Sequence, residues 1–382
     1  MQRELKSTRK AAGLGEQVLL TGGTGFLGAA IMKRILEEHE RSRVALLVRS
    51  SAKETARQRV DALLRRELGD DGAARVRSRV DVVEGDISLC GLGIDADRSD
   101  ALLDRIDHVI HCAATIRFDL PVEVARRDNT HGTRNILEFA RKLRHFHRLD
   151  YVGTAYVAGK RSGVVLEDEL DVGQEFWNSY ERTKMEAEGL VRAFAADHAT
   201  CIHRPSIIVG DSRTGKADAM QGLYQVLPLY TRKLVLAIPA DPNTHPDIVP
   251  IDWVTDALFA LIDTPESCGR VFHLTAGAGR TCSIADLIDA VSGFANVTRR
   301  PPYVSYRTYQ RIVKPVFRAA VWGKKRRAML KGEHYLPYLS SRFVFDTTNT
   351  KSVLNGQGTA PHVGSYFTKL LEYQARQARL QA

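Results

Sequence analysis

A chain of 382 residues with 44% hydrophobic content can bury a full core, as one large α/β domain or one domain with a smaller lobe. No apolar run approaches the roughly 18 residues of a membrane span, and five scattered cysteines without CxxC spacing exclude a patterned metal site, so reduced thiols in a cytosolic protein are expected. The formal charge of +10 is local: residues 301–343 carry ten cations against Glu333 alone, which leaves the remaining chain nearly neutral.

In chain order, residues 1–16 are polar and basic with no apolar core, which reads as a disordered tail and not a signal peptide. Val18 to Leu20 then read as a buried strand, and Ala29 to Glu38 as a helix with Ile31, Met32, Ile35 and Leu36 on one face. Between them lie Thr21, Gly22, Gly23, Thr24, Gly25, Phe26, Leu27 and Gly28. A strand, a glycine turn and a helix in that order suit a dinucleotide: glycines admit the pyrophosphate to the backbone, and the helix start attracts its charge.

The second strand, Val44 to Val48, ends in Arg49, with Arg57 and Arg59 on the helical stretch that follows. An acid at this place holds ribose hydroxyls in NAD sites, whereas a guanidinium holds a 2′-phosphate bidentately. NADPH is therefore favoured over NADH; a solvated arginine at a strand end is the plain alternative. Asp81 to Asp86 reads as the third strand, with Asp86 and Ile87 set to meet the adenine. Asp107 to Ala114 reads as the fourth, its small Ala113 and Ala114 leaving room for the cofactor. Asn129 to Thr133 reads as a helix opening, and Leu149 to Thr154 as the fifth strand. The alternation argues for a Rossmann-type, doubly wound parallel sheet.

Tyr180 and Lys184 stand four apart, so a helix puts phenol and ammonium on one face. A nearby cation stabilises phenolate and makes the phenol a usable acid near neutral pH. Thr154, at the predicted strand end, can aim its hydroxyl at the same carbonyl.

With these residues assembled, the chain resembles the extended short-chain dehydrogenase/reductases. The matching motifs are Thr21-Gly-Gly-Thr-Gly-Phe-Leu-Gly28, Asp86, Asn129-x-x-Gly-Thr133, Thr154, Tyr180-x-x-x-Lys184, Arg204-Pro-Ser-Ile-Ile-Val-Gly210 and Val249-Pro-Ile-Asp-Trp-Val254. Leu47-Val-Arg49, His111-Cys-Ala-Ala-Thr-Ile-Arg-Phe118 and Val152-Gly-Thr-Ala-Tyr-Val-Ala-Gly159 are most similar to the fatty acyl-CoA reductase and thioester reductase branch. Gly153 departs from the usual serine there; Phe345-Asp-Thr-Thr-Asn-Thr350 adds a looser match. The resemblance implies reduction of an acyl thioester, on CoA or an acyl-carrier protein, to the aldehyde or, by a second hydride, to the alcohol. It makes Tyr180 the proton donor, Thr154 a second donor to the oxyanion, and Lys184 the holder of the nicotinamide ribose. Asn129 supports a water relay, Pro205, Ser206 and Ile207 border the cofactor, and a homodimer is common in the superfamily. Rival readings are a sterol dehydrogenase or nucleotide-sugar epimerase using the same pair, and a non-catalytic NADPH binder.

The sheet domain is expected over 17–212 and 244–275, with a smaller, mainly helical substrate lobe over 213–243 and 276–382. Met220 to Ala240 is either core or the lining of an apolar acyl pocket. In 301–343, Pro315 argues against one unbroken helix. That basic segment has three readings: a solvated face, a dock for an acidic carrier protein or CoA phosphates, or an amphipathic patch on anionic membrane. Nucleic-acid binding is disfavoured.

Overall fold

The computed structural model describes residues 12–217, 230, 235–320, 333–340, 342–356 and 358–380. Its centre is a sheet of seven strands, β1 (Gln17–Thr21), β2 (Arg43–Val48), β3 (Val80–Glu84), β4 (His108–His111), β5 (Arg148–Val152), β7 (Thr200–Pro205) and β10 (Val271–Leu274). Two smaller parallel pairs join β6 (Ser162–Val165) to β11 (Arg342–Phe345) and β8 (Ile207–Val209) to β9 (Ile248–Pro250). The seven lie in the order β10-β7-β5-β4-β1-β2-β3, every neighbouring pair parallel. Order therefore reverses between β1 and β4, and a crevice opens beyond their carboxyl ends.

A parallel sheet is covered on both faces, so its strands are apolar without alternation. Val18 and Leu20 join one core cluster with Val44, Leu46 and Ile110, while Leu19 joins the other with Ala45, Val109 and Leu149. The helices are α1 (Phe26–Glu38), α2 (Ala56–Val76), α3 (Ala96–Arg105), α4 (Val122–Arg126), α5 (Gly132–Lys142), α6 (Ser179–Ala195) and α7 (Ile251–Ile262). Helices α1 and α7 serve the first cluster, α5 and α6 the second. The expected parallel α/β sheet is what the chain forms.

A buried polar knot sits in the middle of that sheet. Asp150 on β5 accepts from Arg148 at 2.7 and 3.0 Å, from His108 at 2.8 Å and from His203 at 2.7 Å. Arg148 also reaches the Leu261 and Ile262 carbonyls and the Ser267 hydroxyl. Burial opposes the charge on Asp150, but the guanidinium and the two imidazoles hold its carboxyl well below the usual carboxylate range.

Two expectations change, and two further segments take a definite form. The tail is shorter than 16 residues: residues 1–11 lie outside the described ones, but the Gly13 N–H donates to Ile262 O, and those of Gly15 and Glu16 bond His108 and Asp107. Asn129 does not open a helix. It sits in a π-helical turn, Arg127–His131, that runs on from α4 into α5, because a proline at 121 already starts the helix upstream. Such turns inside α-helices frequently mark functional sites. The run from Tyr306 to Ala320 is helical throughout, and its own π turn, Tyr309–Val313, precedes Pro315, which has no N–H to donate. The mainly helical C-terminal part also carries β11, which pairs with β6, and residues after it return to the main core through Leu354 and Ala360.

Much of Met220 to Ala240 and the cations Lys324 to Arg327 lie outside the described residues. Ile312 and Val316 are exposed on the helical run, while Lys314 pairs with Glu333 at 2.7 Å. No helix among the described residues is long and apolar enough to cross a membrane.

Candidate active site

The glycine turn is built so tightly that side chains are excluded from it. Gly22 has φ +73°, and a Cβ there would lie 2.6 Å from the Ala113 nitrogen; at Gly28 it would lie 2.1 Å from Gly22 O. Helix α1 has Gly25 as its N-cap, and no side chain bonds that cap. Its positive end therefore opens on a cleft of about 340 Å³. Gly22, Thr24 and Gly25 line one wall; Arg49, Arg59, Asp86, Ile87, Ala113 and Ala114 line others. The shape and chemistry fit a dinucleotide: a backbone cradle at a helix start, two guanidiniums at one end and small residues where β4 stops.

Arg59 donates to the Arg49 carbonyl and, at 3.3 Å, to the Thr24 hydroxyl, so it ties the β2 end to the glycine turn. Arg49 is exposed and its guanidinium stands 3.5 Å from the Asp86 carboxylate. Partial burial raises that carboxyl, but the Ser88 N–H at 2.8 Å and Arg49 outweigh it and hold Asp86 below its ordinary value. Arg57 is exposed and does not line the cleft.

Thr21, Gly23, Phe26, Leu27 and Gly28 form the back of the turn, outside the cleft lining. Pro205, Ser206 and Ile207 also lie outside it, at the end of β7. There Thr154 points its hydroxyl at Pro205 O, 3.5 Å away, and Ser206 donates to the buried Asp247.

Lys184 is buried on α6. Its ammonium donates to Val152 O at 2.8 Å and lies 4.4 Å from the Tyr151 ring centroid. Burial pushes it down to about 8, against the opposing pull of Cys112 and Glu188. Tyr180, one turn earlier on α6, packs its ring 5.5 Å from that of Phe118. Asn129 is engaged on every side: its Oδ1 accepts the Thr115 N–H at 2.8 Å, and its Nδ2 donates to Thr115 O and to the Thr183 hydroxyl. With both amide protons used on protein, this side chain clamps the strand-4 loop to α6. Cys112 borders the cleft, but desolvation pushes its thiol up to about 11, so it stays protonated.

A buried hydrogen-bond chain, not foreseen from sequence, connects the turn to Asn129. The Ala113 N–H donates to Thr21 Oγ1 at 3.2 Å, and that hydroxyl is 2.7 Å from His111 Nδ1. His111 Nε2 is 3.0 Å from Thr133 Oγ1, whose own proton goes to Asn129 O at 2.7 Å. These roles assign the Nε2–H tautomer. Burial and the Lys184 charge hold His111 down at about 3, so the imidazole is neutral. The signal was present in His111-Cys-Ala-Ala, but a histidine in a strand announces no partner. Ser88 also lines the cleft without having been singled out, as do Thr115 and Arg117, which were legible only as part of the motif at residues 111–118.

Over residues 20–258 the chain matches the NAD-binding family described as Male sterility protein. The chain belongs to this family. The resemblance drawn from its motifs holds. Within 278 aligned residues it is 30% identical to the fatty acyl-CoA reductase wat of Drosophila melanogaster, covering 64% of this chain and 53% of that one. It is 27% identical to fatty acyl-CoA reductase 1 of Arabidopsis thaliana, with 64% and 62% covered. The chain thus spans about half to three-fifths of the length of these relatives. The terminal R domain of the myxalamid PKS-NRPS biosynthetic pathway superposes with a TM-score of 0.81 and 26% identity, covering 97% of this chain and 93% of the domain.

Proposed function

We propose that the protein reduces an acyl thioester, carried on CoA or a carrier protein, using NADPH. The observation that carries the reading is the dinucleotide-shaped cleft at the glycine turn, with Lys184 buried against Val152 O, two residues before Thr154, and one helical turn from Tyr180, in a chain related to reductases of acyl-CoA and carrier-bound chains. When bound, the cofactor supplies a hydride.

The residues divide the remaining work. As the thioester carbon is reduced, its oxygen takes up charge; the Tyr180 hydroxyl gives it a proton and the Thr154 hydroxyl a second hydrogen bond. Thr154 is suited to this because its present bond to Pro205 O is long. Lys184 holds a positive charge one helical turn from Tyr180 and favours the phenolate that remains. The hemithioacetal then breaks its C–S bond, and the sulfur leaves as the thiol with the hydroxyl proton. The product is an aldehyde; a second hydride and proton would convert it to the alcohol.

NADPH is preferred because Arg49 and Arg59 both border the cleft at the end of β2, where a 2′-phosphate gains charge-assisted bonds. Arg49→Ala is expected to weaken NADPH binding about tenfold while leaving NADH nearly unchanged, since a bond to a charged group contributes about 1.5–3 kcal/mol. Calorimetric titration with both cofactors checks this; an equal loss for both would assign Arg49 to the fold.

Alkaline pH should switch the enzyme off. Lys184 is charged below about 8 and neutral above it, so thioester turnover is expected to fall as pH rises through that value. A profile flat across the alkaline range would remove the ammonium from the mechanism. The reaction itself is tested by mixing purified protein with NADPH and long-chain acyl-CoA or acyl-carrier protein, following cofactor loss and released aldehyde or alcohol. Failure with every thioester, alongside oxidation of a sterol or sugar nucleotide, overturns the proposal.

A further inference from the structure

The first turn of α6, which carries Tyr180, is closed by a residue from the far end of the chain. Asn178 is the N-cap of that helix, its Oδ1 accepting the Glu181 N–H at 3.0 Å. Glu181 is fully buried, and its carboxylate reaches back to the Trp177 N–H at 2.9 Å. The Tyr338 hydroxyl stands between them. It accepts from Asn178 Nδ2 at 2.8 Å and donates to Glu181 Oε1. The result is a closed ring of hydrogen bonds through the cap residue, the third helical residue and Tyr338, spanning the first turn that carries Tyr180.

The phenol ring of Tyr338 extends the same contact. It meets Tyr156 edge-on at 4.7 Å and Phe118 at 5.9 Å, and Phe118 in turn packs against Tyr180. Tyr156 follows two residues after Thr154, so both proposed hydrogen-bond donors to the substrate oxygen are braced by one side chain. Tyr338 belongs to a short helical segment, Glu333–Ser340, outside the sheet and outside the stretch matched to the family.

Burying a carboxylate beside a catalytic helix start is costly unless its oxygens are bonded. Burial pushes Glu181 up to about 7, while the bonds from Tyr338 and Trp177 and the charge of Lys160 pull the other way. The arrangement closes the turn on which Tyr180 sits, and Tyr338 reaches Tyr180 through Phe118.

We infer that Tyr338 is a positioning residue for Tyr180: its hydroxyl locks the first turn of α6, and its ring fixes Phe118 and Tyr156 against the two donor side chains. This rests on the thioester-reductase reading for its kinetic consequence, but not for its structural one. The C-terminal segment thereby becomes part of the catalytic geometry.

Tyr338→Phe removes the hydroxyl and keeps the ring, so the fold is preserved. It is expected to lower kcat for thioester reduction about tenfold, equivalent to about 1.4 kcal/mol of barrier, with KM for NADPH unchanged. In a Tyr180→Phe background the same change should have no further effect, since its action passes through Tyr180. Amide hydrogen exchange in the protein without cofactor gives a second readout. Residues 178–184 should exchange about tenfold faster in Tyr338→Phe, while 26–38 stay as in the parent. Glu181→Gln, which leaves one acceptor oxygen for Tyr338, should fall between parent and Tyr338→Phe in both measurements. Unchanged exchange over 178–184 overturns the inference, as does an equal loss of kcat with and without the Tyr180 hydroxyl. If the parent reduces no thioester, the exchange result still decides the positioning, and only the functional reading falls.

Discussion

Tyr180→Phe is expected to lower thioester reduction about a thousandfold, within the range of about 10²–10⁴ that a positioned general acid contributes. The change removes the phenol proton one helical turn from Lys184, and it leaves the ring to pack against Phe118. Cofactor binding should be unaffected, because Tyr180 does not line the cleft framed by the glycine turn, Arg49 and Ala113. Single-turnover kinetics with saturating NADPH separate the two effects. A loss smaller than about tenfold would move the acid to another group, with Thr154 next in line. A parallel loss of NADPH affinity would make Tyr180 a binding residue.

Asp150→Ala is expected to cost about 3–5 kcal/mol of stability, the usual penalty for leaving a buried ion without its partner. Arg148 is fully buried, and Asp150 accepts from its Nε and from one terminal nitrogen of the guanidinium. The same carboxylate accepts from His108 on β4 and His203 on β7, so one residue joins three adjacent strands. Equilibrium urea denaturation measures the loss. NADPH affinity of the folded fraction should be intact, since the knot is not part of the cleft lining. A change below about 1 kcal/mol would show that the knot's other bonds, to Leu261, Ile262 and Ser267, are enough to satisfy Arg148.

The Asp150 knot also shows where reading a chain stops. Leu149 and Tyr151 announce a buried strand by their character, but nothing in the run announces that Asp150 meets an arginine two residues away and histidines from two other strands. His111 repeats the point. Its strand was legible, and its place between Thr21 and Thr133 was not, because those partners come from different elements. Asn129 was legible as a motif position, yet its π turn depends on where α4 begins and on the fit of that helix against α6.

By itself the amino-acid order determined what local constraint can express. Gly22, Gly25 and Gly28 are required by close backbone approach, strand and helix periods fix the parallel sheet, and Arg49 gives the end of β2 its charge. Spacing alone put Tyr180 and Lys184 on one helical face. Only the tertiary structure decided which distant groups complete each of these. It brought Arg59 to the glycine turn, Val152 to the Lys184 ammonium and Tyr338 to the cap of α6. The reason is physical: a glycine turn or a helix face is set by neighbours a few residues away. A buried hydrogen bond is set by whichever group the packed core delivers to it.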